Sequence, residues 1–280
     1  MHTVFFSRDE SLRQGWRIAL FILALAAALF LLGGLESLLG RPAWMQNTWP
    51  GVGVLLGLSA GALRLEHRPL ANLGLRLNGR FGMEFLLGCL MGAALLGAAA
   101  LALHLAGGVT FQRTPGVGLS RLLWSAWFLL GVSLFEELLF RGYLFQRLAE
   151  GMGLWPALLL GGAFFAVAHW GNPGMSGGVK VWATLNIALA AVLLGLCWAR
   201  TRSLALPFGV HLTWNWTQGS LLGFGVSGTH AKGLLTPVLA DKPTWLTGGP
   251  FGLEASLPGC AVLVIAVVAL ALWKGRQEAI

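Results

Sequence analysis

Residues 119–148 read LSRLLWSAWFLLGVSLFEELLFRGYLFQRL, an apolar segment that carries two glutamates and an arginine near its middle. A membrane-spanning helix needs about 20 mostly apolar residues. This segment is longer, so we expect its end to protrude from the membrane or to be kinked. A charged side chain at the bilayer centre costs about 2.5–3.5 kcal/mol. Three charges within six residues therefore need partners inside the protein and a role that justifies this cost.

The rest of the chain has the same apolar character. Of its 280 residues, 56% are hydrophobic and only 11% are charged, whereas soluble domains carry about 25% charged residues. We therefore predict an all-α, polytopic membrane helix bundle. About eight segments are candidate transmembrane helices, at residues 17–38, 48–65, 82–106, 119–148, 154–171, 179–199, 204–225 and 254–273.

The basic residues predict how the chain crosses the membrane. With the N-terminus inside, twelve of the 19 Lys and Arg residues fall in cytoplasmic segments, six fall outside and Arg141 lies within a span. This bias predicts that both termini are cytoplasmic. The positions of these basic residues are more informative than the net charge of +8, and we expect no nucleic acid partner. We expect an integral, multi-pass protein, in the plasma (inner) membrane if the source is bacterial.

The charged residues of the fourth candidate span divide into a pair and a single group. Glu137 and Arg141 are four residues apart, so they share a helix face and can form an ion pair. Glu136 is rotated by about 100° around the helix axis from Glu137 and has no local counter-charge, which suits a group that transfers protons. The alternative is that all three form an ion-pair staple between helices. Four other glutamates lie near span ends, where long side chains reach water: Glu36, Glu66, Glu84 and Glu254.

Polar residues on two later spans fall at a similar depth. Glu136 lies 16 residues before the predicted turn near Met152, and His169 lies 17 residues after it, so a regular hairpin brings both to one level. His211 and Asn215 share a helix face, and Asn215 lies about 16 Å from the start of its span. These groups predict one intramembrane site. Each histidine alone would more often be a hydrogen-bonded core residue. Asn186 is read as an interhelical hydrogen-bonding residue rather than a site residue, and His230 is assigned no role.

Three motifs carry a resemblance to a known family. Glu136-Glu137…Arg141 is an EExxxR motif, Phe165…His169 is FxxxH, and His211…Asn215 is HxxxN. In this order they resemble the CPBP family of intramembrane proteases, also called the Abi or CAAX prenyl protease family. The resemblance covers about residues 118–228, the expected protease core. Residues 1–117 are expected to form three N-terminal spans with a basic cytoplasmic linker, and residues 229–280 an outside loop and the last span.

The resemblance implies an endopeptidase that cleaves a membrane-associated or lipidated, CAAX-type protein or peptide. Glu136 would be the general base that activates water, with His169 assisting. His211 and Asn215 would stabilise the oxyanion. The supporting residues would be Glu137, Arg141 and Phe165. The implied partners are a peptide or protein substrate and the lipid bilayer, and a prenylated substrate is not expected if the source is bacterial.

Three alternatives remain open from the sequence. Zinc could be held by Glu136, His169 and His211, with Glu137 as the base. However, the chain has no HExxH motif and no two histidines on one helix face, so we expect neither a metal nor another cofactor. A non-catalytic immunity or regulatory protein of the same family could bind a peptide in the same cavity. A small transporter could use Glu136 to couple to protons, but transport gives no reason for the His-x-x-x-Asn pair.

Overall fold

The computed structural model describes residues 12–40 and 47–275, and this part of the chain is mostly helical, in agreement with the predicted helical class. The α-helices are α1 (Gln14–Leu38), α2 (Trp49–Leu65), α3 (Gly79–Leu105), α4 (Leu119–Arg141), α5 (Tyr143–Met152), α6 (Leu154–Ala168), α7 (Gly177–Thr201), α8 (Ala205–Asn215), α9 (Thr244–Thr247) and α10 (Leu257–Leu272). A π-helix, Trp216–Leu221, directly continues α8.

Four helical segments are long and apolar enough to cross a membrane, namely α1, α3, the α4–α5 segment and α7. Three shorter apolar helices, α2, α6 and α10, accompany them, and every predicted span overlaps a helix. The chain is therefore an integral membrane protein. The number of eight spans and the cytoplasmic termini stay predictions. The termini lie outside the described residues. So do Arg8 and Arg276, which the count of basic residues includes.

The long fourth segment is broken, as its length predicted. Helix α4 ends at Arg141 and α5 begins at Tyr143, with Gly142 between them. A Cβ atom at Gly142 would collide with the carbonyl oxygen of Leu138, so a side chain at this position would force the backbone to move. The break separates α5 from α4 immediately after the last charged residue of the EExxxR motif.

A two-stranded sheet is the part of the fold that differs from the all-α prediction. Strand β1 (Val109–Arg113) pairs antiparallel with β2 (Leu235–Leu239), with Val109 opposite Leu239. Both strands lie in segments that were expected to be loops. Each has only five residues, and its partner is more than 120 residues away in the chain, so no local hairpin signal announces it. The sheet joins the loop after α3 to the long loop before α10.

Helices α3 and α8 pack with their backbones in close contact. A Cβ atom on Gly88 of α3 would collide with the carbonyl oxygen of Leu206, and one on Gly209 of α8 would collide with that of Phe85. Small residues permit this approach between membrane helices. The hydroxyl of Thr213 also donates to the carbonyl oxygen of Cys89 at 2.7 Å. Helix α3 therefore fixes the position of α8, which carries the HxxxN motif.

A charged cluster around Glu66 ties α5 to the N-terminal helices. The Glu66 carboxylate accepts from the hydroxyl of Tyr143 at 2.5 Å and from Nη1 of Arg147 at 2.9 Å, and it lies 3.3 Å from Nη1 of Arg17. Its side chain is only 8% exposed, so the prediction that Glu66 reaches water from a span end is wrong. The cluster instead holds the end of α2 against α5.

Candidate active site

A cavity of about 1120 Å³ brings the predicted site residues together. Glu136 reaches it from α4, His169 from the end of α6, and His211 and Asn215 from α8. Phe165 of the FxxxH motif also lines it. Three segments that are far apart in the sequence thus contribute side chains to one space, as the depth comparison predicted.

Behind the cavity, Glu137 is the centre of a buried charged network. Its side chain is 0% exposed, and its Oε1 accepts a hydrogen bond from Nη1 of Arg141 at 3.0 Å. The predicted pairing of these two residues is therefore present. The same oxygen lies 2.8 Å from Nδ1 of His211, a contact that the sequence did not predict. The second Arg141 nitrogen donates to the carbonyl oxygen of Ala191 on α7 at 3.2 Å, so the Glu137–Arg141 pair joins α4, α7 and α8.

Glu136 differs from its neighbour in exposure and contacts. Its side chain is 22% exposed, and its Oε2 lies 3.5 Å from Nε2 of His211. The imidazole of His211 is consequently placed between the Glu136 and Glu137 carboxylates, one at each ring nitrogen. Glu136 is the carboxylate that a molecule in the cavity can reach, whereas Glu137 is sealed behind it.

The ring of Phe165 lies between the remaining groups. Its centroid is 4.7 Å from that of His169 and 6.3 Å from that of His211, and the guanidinium of Arg141 lies 5.0 Å from it. Nδ1 of His169 is 2.7 Å from the carbonyl oxygen of Phe165. A carbonyl only accepts, so Nδ1 carries the proton and Nε2 of a neutral His169 is an acceptor.

Asn215 lies where α8 changes to the π-helix. It is buried, at 8% exposed, and its side-chain amide has no hydrogen bond to the residues that the structure describes, which leaves it available to a ligand. Nε1 of Trp216, the next residue, donates to the carbonyl oxygen of Leu122 at 3.1 Å and lies 3.2 Å from Oγ of Ser125. Short π-helical segments often occur at functional sites, and this one attaches the end of α8 to α4.

Other polar residues that were not predicted as site residues also line the cavity, among them Asn186, His230 and Glu254. Glu254 is only 6% exposed, and its Oε2 accepts from the backbone nitrogen of Ser227 at 2.6 Å and from its hydroxyl at 2.9 Å. The prediction that Glu254 reaches water from a span end is wrong, because α10 begins later, at Leu257, and the preceding loop folds over the carboxylate. Asn186 also contacts Cys260 on α10 at 3.7 Å, so it joins helices as well as lining the cavity.

The donor groups do not fit a metal site in residues 12–40 and 47–275. No three His, Cys, Asp or Glu side chains of that part of the chain are grouped so that they could hold a metal ion.

The comparisons with known proteins agree with the motifs. Residues 118–217 match the family model described as "Type II CAAX prenyl endopeptidase Rce1-like". The matched segment contains EExxxR, FxxxH and HxxxN, and it confirms the resemblance to the CPBP family in this part of the chain. Curated proteins and solved structures gave no match.

Proposed function

We propose that this protein, whose residues 118–217 resemble a type II CAAX prenyl endopeptidase, is an intramembrane endopeptidase. Its substrate would be a membrane-associated or lipidated, CAAX-type protein or peptide. The observation that carries the proposal is the single cavity that Glu136, His169, His211 and Asn215 share. A carboxylate, an imidazole acceptor and two hydrogen-bond donors are the groups that water-mediated peptide hydrolysis requires.

In the first step, Glu136 takes a proton from a water molecule while Nε2 of His169 accepts the water's second hydrogen bond. The water oxygen then attacks the carbonyl carbon of the scissile bond, and the carbonyl oxygen becomes an oxyanion. Glu136 suits this role because it is partly exposed to the cavity, unlike Glu137. A positioned general base contributes about 10²- to 10⁴-fold to the rate.

His211 and Asn215 would stabilise the oxyanion by donating hydrogen bonds. Nδ1 of His211 is engaged by Glu137, so Nε2 can donate only if the ring is an imidazolium. The carboxylates at both ring nitrogens would balance that charge. In a cavity that excludes water such hydrogen bonds are stronger than in solution, and one oxyanion donor contributes about 10²- to 10³-fold.

In the last step, the proton that Glu136 took from water passes to the leaving nitrogen as the C–N bond breaks. The products are a new carboxyl terminus and a new amino terminus, and Glu136 is again a carboxylate. Arg141 and Glu137 take no part in this proton transfer. They hold His211 in place through the buried hydrogen bonds around Glu137 Oε1.

We also propose that the reaction needs no metal, because no three His, Cys, Asp or Glu side chains in residues 12–40 and 47–275 are grouped to hold one. Metal analysis of the purified protein tests this point. Stoichiometric zinc, together with activity that chelation removes and zinc restores, would contradict it.

For the membrane topology we propose eight spans with both termini in the cytoplasm. The shorter helices α2, α6 and α8 would then cross with help from their flanking segments. Reporter fusions after Arg202 and after Lys232 test the arrangement, since this topology predicts a cytoplasmic reporter for the first and an external one for the second. The same location for both reporters would refute it.

The proposed activity is tested with Glu136→Gln in cells. Membrane proteomes of cells that carry wild-type or variant protein are compared for new peptide termini. A terminus that appears with the wild type and is absent with Glu136→Gln is the expected result. Glu36→Gln is the matched control, because this glutamate does not line the cavity. If the cellular phenotype of the protein is unchanged by Glu136→Gln, the non-catalytic immunity or regulatory role is correct instead.

A further inference from the structure

Basic side chains line one end of the cavity. Arg121 lies in the first turn of α4, and His230 and Lys232 lie in the loop between the π-helix and β2; all three line the cavity and are exposed. Neither Arg121 nor Lys232 forms an ion pair with any of the residues 12–40 or 47–275. The charges of Arg121 and Lys232 are thus available to a ligand, and we call these two residues and His230 the rim.

The catalytic end of the same cavity carries the opposite charge. Glu136 lines that end, where its side chain is 22% exposed. An anionic end of a bound peptide would be repelled by the Glu136 carboxylate and attracted by the rim. An amino terminus would experience the reverse. The charge distribution therefore orients an extended peptide, with its carboxyl end at the rim.

Helix α4 gives the distance between the two ends. Arg121 and Glu136 are 15 residues apart, which is about 22 Å along an α-helix. Residues between them, including Ser125, Phe128 and Val132, also line the cavity, so the wall is continuous. An extended chain advances about 3.3–3.6 Å per residue, and the flexible arginine side chain shortens the path by several ångströms. The span fits about five to seven residues.

We propose that Arg121 and Lys232 form a carboxylate-binding subsite for the free carboxyl terminus of a substrate that ends about five to seven residues beyond the cleaved bond. This inference rests on the proposed peptidase function. Of the two substrate classes proposed above, it selects the membrane-associated peptide over the CAAX-type one, in which three residues follow the modified cysteine. Those three residues extend over only about 10 Å and would not reach the rim. The side-chain carboxylate of an Asp or Glu at the same distance from the cleaved bond has the same chemistry as a free carboxyl terminus and would bind the same subsite.

A peptide library tests the inference. Twelve-residue peptides with randomised sequences and a hydrophobic amino-terminal anchor are incubated with the full-length protein in uncharged detergent micelles, and mass spectrometry gives the length of each carboxyl-terminal fragment. Fragments of five to seven residues are expected to predominate. A library with amidated carboxyl termini should be cleaved with a kcat/KM that is lower by at least about tenfold, since a charge-assisted hydrogen bond is lost. Amidated peptides with an acidic residue six positions beyond the cleaved bond should regain the rate if a side-chain carboxylate also serves.

Charge-removing variants connect the effect to the rim. Arg121→Gln combined with Lys232→Gln should abolish the preference for acid over amide without abolishing cleavage. Arg113→Gln is the matched control, since this arginine lies on β1 and does not line the cavity, and it should keep the preference. Predominant fragments of three residues, or equal cleavage of acid and amide libraries, would overturn the inference. Rates that respond to added anionic lipid but not to amidation would overturn it too, and would assign the rim to lipid headgroups.

A binding measurement separates this inference from the proposed function. Fluorescence anisotropy compares the affinity of the wild-type protein for the acid and amide forms of one anchored peptide. Equal affinities overturn the carboxylate subsite whether or not the peptide is cleaved. Tighter binding of the acid without any cleavage supports the subsite and contradicts the peptidase activity.

Discussion

Replacing Glu137 by glutamine would remove one negative charge from the buried network and leave its shape almost unchanged. The glutamine oxygen can still accept from Arg141 and His211, whose hydrogen bonds at 3.0 and 2.8 Å meet on Glu137 Oε1. Its amide group would occupy the place of Oε2, which is buried and without a hydrogen-bond partner in the part of the chain that the structure describes. Two N–H donors would thus be buried beside a guanidinium without a counter-ion.

The expected cost follows from these contacts. Hydrogen bonds to charged groups contribute about 1.5–3 kcal/mol and neutral ones about 0.5–1.5 kcal/mol, so two weakened bonds lower the free energy of unfolding by about 2–3 kcal/mol. Complete loss of one partner of a buried ion pair costs about 3–5 kcal/mol, which sets the upper limit. We also expect peptidase activity to fall, because an imidazolium at His211 would lose one of its two carboxylates.

The assay is unfolding by SDS in mixed micelles, followed by the fluorescence of the 13 tryptophans. Glu36→Gln is the control for removing a charge outside the network. The double variant Glu137→Gln, Arg141→Met should recover part of the stability, because removal of both partners leaves no unpaired buried charge. A single variant within about 0.5 kcal/mol of the wild type, as for substitutions at the surface, would refute the reasoning. So would a double variant whose loss equals the sum of the two single losses.

Three further variants test separate parts of the structure. Asn215→Ala should lower kcat by about 10²- to 10³-fold with little change in the unfolding free energy, and a loss confined to KM would contradict an oxyanion role. Gly88→Val should destabilise the protein by about 1–3 kcal/mol through overpacking against α8. Gly97→Val on the same helix should not, since a Cβ atom at Gly97 would meet no heavy atom within 4 Å. Unfolding of both variants by SDS makes the comparison. Tyr143→Phe should cost about 1–2 kcal/mol by removing the hydrogen bond to Glu66 while leaving activity intact, and a large loss of kcat would show that this cluster also controls the site.

The sequence predicted those features that depend on the regular geometry of one helix or hairpin. The four-residue spacing of Glu137 and Arg141 predicted their ion pair. The count from Met152 placed Glu136 and His169 at one level, and both line one cavity, although the break at Gly142 makes the hairpin less regular than the count assumed. The excess length of residues 119–148 predicted the break that the structure places at Gly142. These predictions need only the helical rise and rotation per residue.

Features that depend on how helices rotate against one another were not predicted. The hydrogen bond from His211 to Glu137 joins residues 74 positions apart, and helical periodicity does not specify which faces of α4 and α8 meet. The burial of Glu254 was not predicted either, because it results from a hydrogen bond with Ser227, a loop residue 27 positions earlier in the chain. A residue count from the end of a span gives a depth and contains no information about such a loop.

The position of Arg141 one turn after Glu137 has a consequence for how the protein is made. The emerging helix brings its own counter-ion to the translocon, so Glu137 need not enter lipid alone at a cost of about 2.5–3.5 kcal/mol. His211 is synthesised 74 residues later, roughly 4–15 s at ordinary rates of translation. During that interval Arg141 neutralises Glu137, but Glu136 has no partner until α8 arrives. Quality-control proteases would therefore meet a half-made chain whose exposed, uncompensated group is the carboxylate for which we propose the role of general base.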